Sequence, residues 1–200
     1  MIYDYQTILG VMAVVVGIIG YVPYYRDVLR GATKPHPFSW IGFALLLGIT
    51  FFAQVATGAG PGAWVNGISA LGVLGIAILA LAKGERDITT LDWVCFGGAL
   101  LGIVLLRVTS NPLTAVVIVT VTDMIAFAPT YRKAYAKPNE ETASLFVLAS
   151  VKYLISLFAL TSLSLTTLLF PVSLIISNSA LVWMLWFRRR QLAKPWGTMQ

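Results

Sequence analysis

The chain of 200 residues is 58% hydrophobic and only 11% charged, with a mean hydropathy of +0.83. Soluble domains carry about 25% charged residues, so this composition excludes an ordinary soluble globular protein. A net charge of +6 can indicate nucleic-acid binding, but the positions of the basic residues along the chain argue against that partner.

Seven apolar runs follow one another along the chain. Each is close to the roughly 20 residues that an α-helix needs to cross a bilayer, and they cover residues 7–25, 38–56, 63–81, 91–106, 113–131, 142–161 and 166–187. The fourth run is the shortest and is rich in glycine, so it suits a spacer helix as well as a span. The sequence therefore predicts an all-α integral membrane protein with seven transmembrane helices.

The lysines and arginines are concentrated in alternate loops. The loops that follow the first, third and fifth runs, together with the carboxyl-terminal tail, hold 12 of the 14 basic residues. The opposite side has only Arg107, and Lys152 lies within an apolar run. Because cytoplasmic loops of membrane proteins are enriched in Lys and Arg, we expect the amino terminus outside and the carboxyl terminus inside, in a plasma (inner) membrane. Anionic lipids are then the expected partners of the basic loops.

Two similar stretches lie 106 residues apart, at 21–27 and 127–133. Both contain an aromatic residue, a proline two positions later, and a Tyr-Arg pair after it. Three helices, a spacer and three more helices make a 3+1+3 arrangement, in which the extra span gives both units the same orientation. The predicted parts are a first three-helix repeat at 1–83, a linker helix at 84–110, a second three-helix repeat at 111–190 and a cytoplasmic tail at 191–200.

With this arrangement and the two proline-centred stretches, the sequence resembles the SWEET and PQ-loop transporter superfamily over nearly its whole length. It departs from the family's usual pattern, because Tyr24 and Thr130 stand where the Gln of a Pro-Gln pair is usual and the run 142–161 has no proline. The resemblance implies a transporter that moves a small polar solute, such as a sugar or another small metabolite, by alternating access. A membrane receptor or scaffold without transport activity is the alternative.

The resemblance also assigns roles to individual residues. In the family the solute lies near mid-membrane between the two three-helix units, where asparagines of the third helices contact it; these would be Asn66 and Asn178. Trp64 would stack on a sugar or ring, and Ser177 beside Asn178 is a further pathway candidate. A bare amide in an apolar medium costs about 2–7 kcal/mol, so both asparagines should face a cavity or another helix. Helix–helix hydrogen bonding, worth about 0.6 kcal/mol, is the alternative role.

The resemblance makes hinges of Pro23 and Pro129. A proline inside a helix removes one hydrogen bond and kinks the helix, and matched bends in the two halves would suit a rocking carrier. Alternatively, each proline ends its span near the membrane interface, one turn before Arg26 or Arg132.

Asp123 and Lys152 are charged residues well inside predicted spans. The turn between these spans is centred near Pro138, almost equidistant from both, so they should reach the same depth near the bilayer centre. A charge there costs at least about 2.5–3.5 kcal/mol, so the two should pair, be neutralised or face water. They would form a coupling-ion or proton site, a clamp on a charged solute, or a structural ion pair.

The sequence has no recognisable metal-ligand cluster, phosphate-binding loop or nucleophile triad, so we expect no enzyme, no metal and no cofactor. The lone His36, between Pro35 and Pro37, is more typical of a loop than of a proton relay. The expected partners are a small-molecule solute and membrane lipids, with no nucleic acid. The sequence does not decide the oligomeric state, which is a monomer or a homo-oligomer. It also leaves open whether the transporter is a facilitator or a proton-coupled exchanger.

Overall fold

The computed structural model describes residues 4–56, 64–160 and 163–193. These residues form seven α-helices, a short 3-10 helix at Pro138–Glu140 and no strands. The α-helices are α1 (Tyr5–Leu29), α2 (Pro37–Ala56), α3 (Trp64–Lys83), α4 (Thr90–Leu106), α5 (Pro112–Ala136), α6 (Ala143–Phe158) and α7 (Leu165–Ala193). The glycine-rich segment 58–62 and Lys194 of the expected tail lie outside the described residues.

The prediction of an all-α protein is confirmed for the described residues, because each apolar run coincides with one helix. Helices α1, α3, α5 and α7 are long and apolar enough to cross a membrane, whereas α2, α4 and α6 contain shorter apolar segments. Large apolar side chains such as Val22, Leu71 and Val94 are exposed on the outside of the helices. Such a surface suits lipid rather than water, so the fold is that of a helical membrane protein.

Local sequence signals set several helix ends. Thr89 caps the start of α4 in a capping box with Asp92, and Asn111 accepts two backbone N–H groups at the start of α5, where Pro112 occupies the first turn. These side chains satisfy backbone donors that have no partner within a helix. After α1, Gly31 has a φ of 75°, a left-handed conformation that favours glycine and turns the chain towards α2.

Six helices pack pairwise into a closed ring in the order α1, α3, α2, α5, α7, α6 and back to α1. Among the first three helices, α3 packs against both α1 and α2, and among the last three, α7 packs against both α5 and α6. Helix α4 lies outside the ring, against α5 and α2. In this order α1 is opposite α5, α2 opposite α6, and α3 opposite α7.

The two sets of three helices share a tyrosine contact at matched positions. The Tyr25 hydroxyl on α1 donates to the Gly72 carbonyl oxygen on α3, at 2.6 Å. The Tyr131 hydroxyl on α5, 106 residues later, donates to the Ser177 carbonyl oxygen on α7. Gly75 leaves room for the first contact, because an added Cβ there would overlap the Tyr25 hydroxyl. Each tyrosine fixes the first helix of its set to the third.

The repeated prolines lie inside helices. Pro23 is within α1, which continues to Leu29, and Pro129 is within α5, which continues to Ala136. Neither proline ends its helix. Each therefore occupies an interior position, where a proline can bend the helix.

The helix ends define two faces of the ring. The amino face is the side on which α1, α3, α5 and α7 begin, and the basic face is the side on which they end. Loops of the basic face contact one another: the Glu85 N–H donates to the Pro35 carbonyl oxygen at 3.0 Å, and Lys137 Nζ lies 2.9 Å from Glu85 Oε2. The arginine-rich end of α7 joins them, because Arg189 donates to the Pro138 carbonyl oxygen.

Candidate functional site

A central cavity of about 70 Å³ lies inside the ring, and all six ring helices contribute to its wall. Most of the lining is apolar or aromatic. The lining side chains with polar groups come from α1, α2, α5, α6 and α7, and comprise Tyr21, Trp40, Asp123, Lys152, Tyr153 and Asn178. Two charged groups in an otherwise apolar chamber make this cavity the candidate functional site.

Lys152 enters the cavity from α6 and is held on the side of α1 and α3. Its side chain passes Gly17 of α1, where an added Cβ would lie 3.2 Å from Lys152 Cδ. The ammonium Nζ donates to Ser69 Oγ on α3 at 2.6 Å. It also lies 4.8 Å from the ring centroid of Tyr153 and 5.5 Å from that of Tyr21. Only 4% of Lys152 is exposed, and cation–π contacts partly replace its hydration.

Asp123 lines the same cavity from α5, the helix opposite α1. It is 4% exposed. Among the described residues it forms no hydrogen bond and no ion pair, with Lys152 or any other group. With the 106-residue offset, Asp123 corresponds to Gly17, the glycine on which Lys152 packs. The two residues therefore line one cavity from opposite sides of the ring, and their equal depth in the membrane stays a prediction.

The other predicted pathway residues lie in three different places. Asn178 lines the central cavity, and its Nδ2 donates to the Leu174 carbonyl oxygen at 2.6 Å. Ser177 is buried beside it. Asn66 lines a second cavity of about 380 Å³ towards the amino face. Trp64 is 47% exposed and lines a groove between α2 and α3 on the outer surface, away from the central cavity.

The second cavity, here called the amino-face cavity, is separate from the central cavity and shares one lining residue with it, Tyr153. Its wall comes from the amino-face ends of the six ring helices, with α4 contributing Leu106. The lining is mainly apolar, with hydroxyl groups such as those of Thr50 and Ser156. Empty space inside the ring therefore occurs both at its centre and towards the amino face.

An aromatic layer closes the cavity towards the basic face. It consists of Tyr24, Trp40, Phe43, Phe127 and Phe146. The Tyr24 and Trp40 ring centroids are 5.0 Å apart, those of Phe43 and Phe127 are 5.1 Å apart, and the Phe127 and Phe146 rings stack at 5.9 Å. At these separations the attraction between aromatic rings exceeds the stabilisation that comes from burying their apolar surface alone.

Beneath the aromatic layer, a buried ionic cluster joins α1 to the α5–α6 loop. The Tyr24 hydroxyl donates to Glu141 Oε1 at 2.7 Å, and Lys133 Nζ lies 2.8 Å from Glu141 Oε2. The side chains of Lys133 and Glu141 are 1% and 0% exposed. A charge this deeply buried is stable only when it is paired. The contacts of Glu141 with Lys133 and Tyr24 therefore hold the basic face closed.

Threonine contacts extend this closure across the α1–α2 and α5–α6 loops. The hydroxyls of Thr33 and Thr142 are in hydrogen-bond contact, and Thr142 also donates to Asp27 Oδ2 at 2.9 Å. Beside them, Lys34 Nζ pairs with Glu140 Oε1 at 2.8 Å. The loops that follow the first helix of each set are therefore bound to each other.

Helix α4 adds a third link on the basic face. Asp92 of α4 accepts two hydrogen bonds from the Arg132 guanidinium, at 2.9 and 2.7 Å, and its Oδ2 lies 3.4 Å from His36 Nε2. His36 is in a loop, as expected, but it is fully buried. Burial lowers the pKa of His36 below its ordinary value of 6.5, with help from Arg132 and against the effect of Asp92.

The closure on the basic face is not predicted from the sequence. Lys133 was interpreted only as a marker of topology, and Tyr24 only as a departure from a family pattern. One signal was available, because Glu140 and Glu141 are adjacent acidic residues in an otherwise basic loop. Trp40, near the start of the second apolar run, also lines the central cavity. The family resemblance predicts Trp64 as the tryptophan of the solute pathway instead.

No family model matches the chain, and neither a curated protein nor a solved structure matches it. The resemblance to the SWEET and PQ-loop superfamily therefore stays a prediction, and the functional argument depends on the geometry of the ring and its cavity.

Proposed function

We propose that this protein is a membrane carrier that moves a small polar solute by alternating access between two three-helix units. The single observation that carries the proposal is the central cavity, to which all six ring helices contribute and in which Asp123 and Lys152 are buried. A second, larger cavity lies towards the amino face, while aromatic and ionic contacts fill the basic face. A carrier that is open to one side and closed to the other has this asymmetry.

We propose the 3+1+3 arrangement as the architecture of the carrier. The matched packing of α3 and α7 supports two equivalent units, and so do the matched hydroxyl contacts of Tyr25 and Tyr131. The units would be parallel repeats, joined by α4. All seven helices would span the plasma (inner) membrane, with the amino face outside and the basic face in the cytoplasm, because the basic face carries the lysine- and arginine-rich loops.

The buried charges support transport rather than a purely structural role. A charge at the bilayer centre costs about 2.5–3.5 kcal/mol or more, and no ion pair within the described residues neutralises Asp123. The carrier would work either as a facilitator or with proton coupling, in which case Asp123 would be the group that takes the proton. Pro23 and Pro129 would be the bend points of the first helix in each unit.

A reversible cross-link across the basic face tests the proposal. In a Cys95→Ser background, Thr33→Cys and Thr142→Cys place two thiols where hydroxyls of the two units now touch. The matched control is Ser150→Cys with Ser179→Cys, whose hydroxyls lie 3.1 Å apart on α6 and α7 of one unit. Uptake of radiolabelled sugars, amino acids and other small metabolites into proteoliposomes is measured before and after reduction.

Oxidation of the cross-unit pair should abolish uptake, and reduction should restore it, while the control pair should transport in both states. Full-rate uptake with the cross-unit disulfide formed would contradict alternating access. Reporter fusions that place both chain ends on one side of the membrane would contradict the proposed topology. If the folded protein takes up no solute from the panel, a receptor or scaffold becomes the better description.

A further inference from the structure

We infer that the central cavity binds a compact zwitterion, a molecule with one carboxylate and one ammonium group, such as a small α-amino acid. The inference rests on the proposed carrier function and names the class of its solute. The observation behind it is that Asp123 and Lys152 line one buried cavity without pairing with each other.

The two charges are held on opposite sides of the cavity. The ammonium of Lys152 is fixed next to α1 and α3, by its hydrogen bond to Ser69 and by the space at Gly17. Asp123 projects from α5, which is opposite α1 in the ring. Because Lys152 is drawn away from α5, the carboxylate of Asp123 has no countercharge among the described residues.

A zwitterion is the simplest ligand that compensates both charges at once. Its carboxylate would accept hydrogen bonds from the Lys152 ammonium, and its ammonium would donate to the Asp123 carboxylate. An anion alone would leave Asp123 unpaired, and a cation alone would leave Lys152 without a carboxylate. A neutral sugar would compensate neither charge. Buried charges without partners are unfavourable, so affinity should depend on both groups of the ligand.

The shape of the cavity limits the size of this zwitterion. Its volume is only about 70 Å³, so the ligand must be compact. The remaining wall is apolar, with Phe43, Phe127 and Leu47 among the lining residues. A short aliphatic substituent would pack there.

Three compounds of nearly equal size test the charge requirement on the unmodified protein. L-alanine carries both charges, L-lactate has a hydroxyl in place of the ammonium, and L-alaninol has a hydroxymethyl in place of the carboxylate. Each is titrated against the full-length protein in detergent, and the melting temperature is measured, because a ligand that binds only the folded state raises it. L-alanine should raise it at concentrations at least about tenfold lower than either analogue.

Charge-removing variants assign the two contacts. Asp123→Asn should abolish the preference for L-alanine over L-lactate, and Lys152→Met should abolish the preference over L-alaninol. Asp87→Asn and Lys83→Met are the matched controls, because they remove the same charges from exposed positions at the basic face. Both controls should keep the two preferences. The titrations of the unmodified protein decide the matter even if a cavity variant does not fold.

The outcomes separate this inference from the carrier function. Equal responses to the three compounds, or uptake of D-glucose that Asp123→Asn does not change, would overturn the zwitterion and leave the carrier standing. A shift specific to L-alanine without uptake of L-alanine into proteoliposomes would support the binding site and overturn the carrier. A shift together with uptake of L-[³H]alanine would support both.

Discussion

Replacing Tyr24 with phenylalanine removes one hydroxyl from the closure on the basic face and leaves the aromatic layer intact. The Tyr24 ring packs against Trp40 at 5.0 Å and Phe146 at 6.3 Å, contacts that phenylalanine keeps. Only the hydrogen bond to Glu141 Oε1, at 2.7 Å, is lost. In the proposed carrier this bond exists only while the basic face is closed, so its loss should favour the opposite state.

The size of the effect follows from the charge of the acceptor. A hydrogen bond to a charged group contributes about 1.5–3 kcal/mol. Since 1.4 kcal/mol is a factor of ten in an equilibrium constant, Tyr24→Phe should shift the ratio of the two states by about 10- to 150-fold. The shift favours the form that is open at the basic face and closed at the amino face.

Accessibility of the amino-face cavity measures this shift. Ser156→Cys in a Cys95→Ser background places a single thiol in the wall of that cavity. An impermeant maleimide, added from the amino-face side, labels it at a rate that follows the population of the amino-face-open form. Tyr24→Phe should slow the labelling.

The control is Tyr135→Phe, which removes the hydroxyl of a half-exposed tyrosine on α5 and should leave the rate unchanged. If a folded Tyr24→Phe protein is labelled as fast as the parent, the hydrogen bond does not distinguish the two states. The assignment of the basic face as the closed end would then be wrong.

Three further changes test the ionic cluster, the cavity wall and the buried histidine. Lys133→Met should lower the free energy of unfolding, measured with denaturant, by about 3–5 kcal/mol, because Glu141 stays buried without its countercharge. Gly17→Ala should weaken ligand binding, measured by thermal shift, because its methyl would lie 3.2 Å from Lys152 Cδ. Because burial keeps the pKa of His36 below 6.5, melting temperatures should fall as the pH drops through 6.5, and His36→Asn should reduce that slope.

Matched variants accompany these tests. Lys34→Met breaks a partly exposed pair with Glu140, so it should lower the stability much less than Lys133→Met does. An equal loss for the two variants would contradict the tight buried cluster. Gly48→Ala adds a methyl with no atom within 4 Å and should leave binding unchanged. A melting temperature with the same pH slope in His36→Asn as in the parent would show that another group titrates.

The sequence was sufficient to predict the helices, whereas the common depth of the two charged residues stays a prediction. Membrane-length apolar runs identify helices because the backbone must satisfy its own hydrogen bonds in lipid. Asp123 and Lys152 could be assigned a common depth because both are counted from one turn near Pro138. That they lie on opposite walls depends on the ring order of the helices, which the linear pattern does not contain.

The face of each helix that lines the cavity could not be predicted. On a helix in a membrane, lipid-facing and protein-facing sides are both apolar, so the periodicity that orients a soluble helix is weak. This is why Trp64, which faces the outside, was predicted to line the pathway, whereas Trp40 lines the cavity without having been predicted there. The ionic cluster was missed for a related reason, because Tyr24 and Glu141 are 117 positions apart in the sequence.

The position of α4 outside the ring has a consequence for how the two units can move. The ring has two seams between the units, one where α2 meets α5 and one where α1 meets α6. Helix α4 packs against both α2 and α5, and Asp92 binds Arg132 next to that seam. The first seam, which has the less extensive direct packing, is therefore braced from outside by α4. The α1–α6 seam is held by the more extensive direct packing of its two helices, so a movement of the units that opens the ring must break that packing or displace α4.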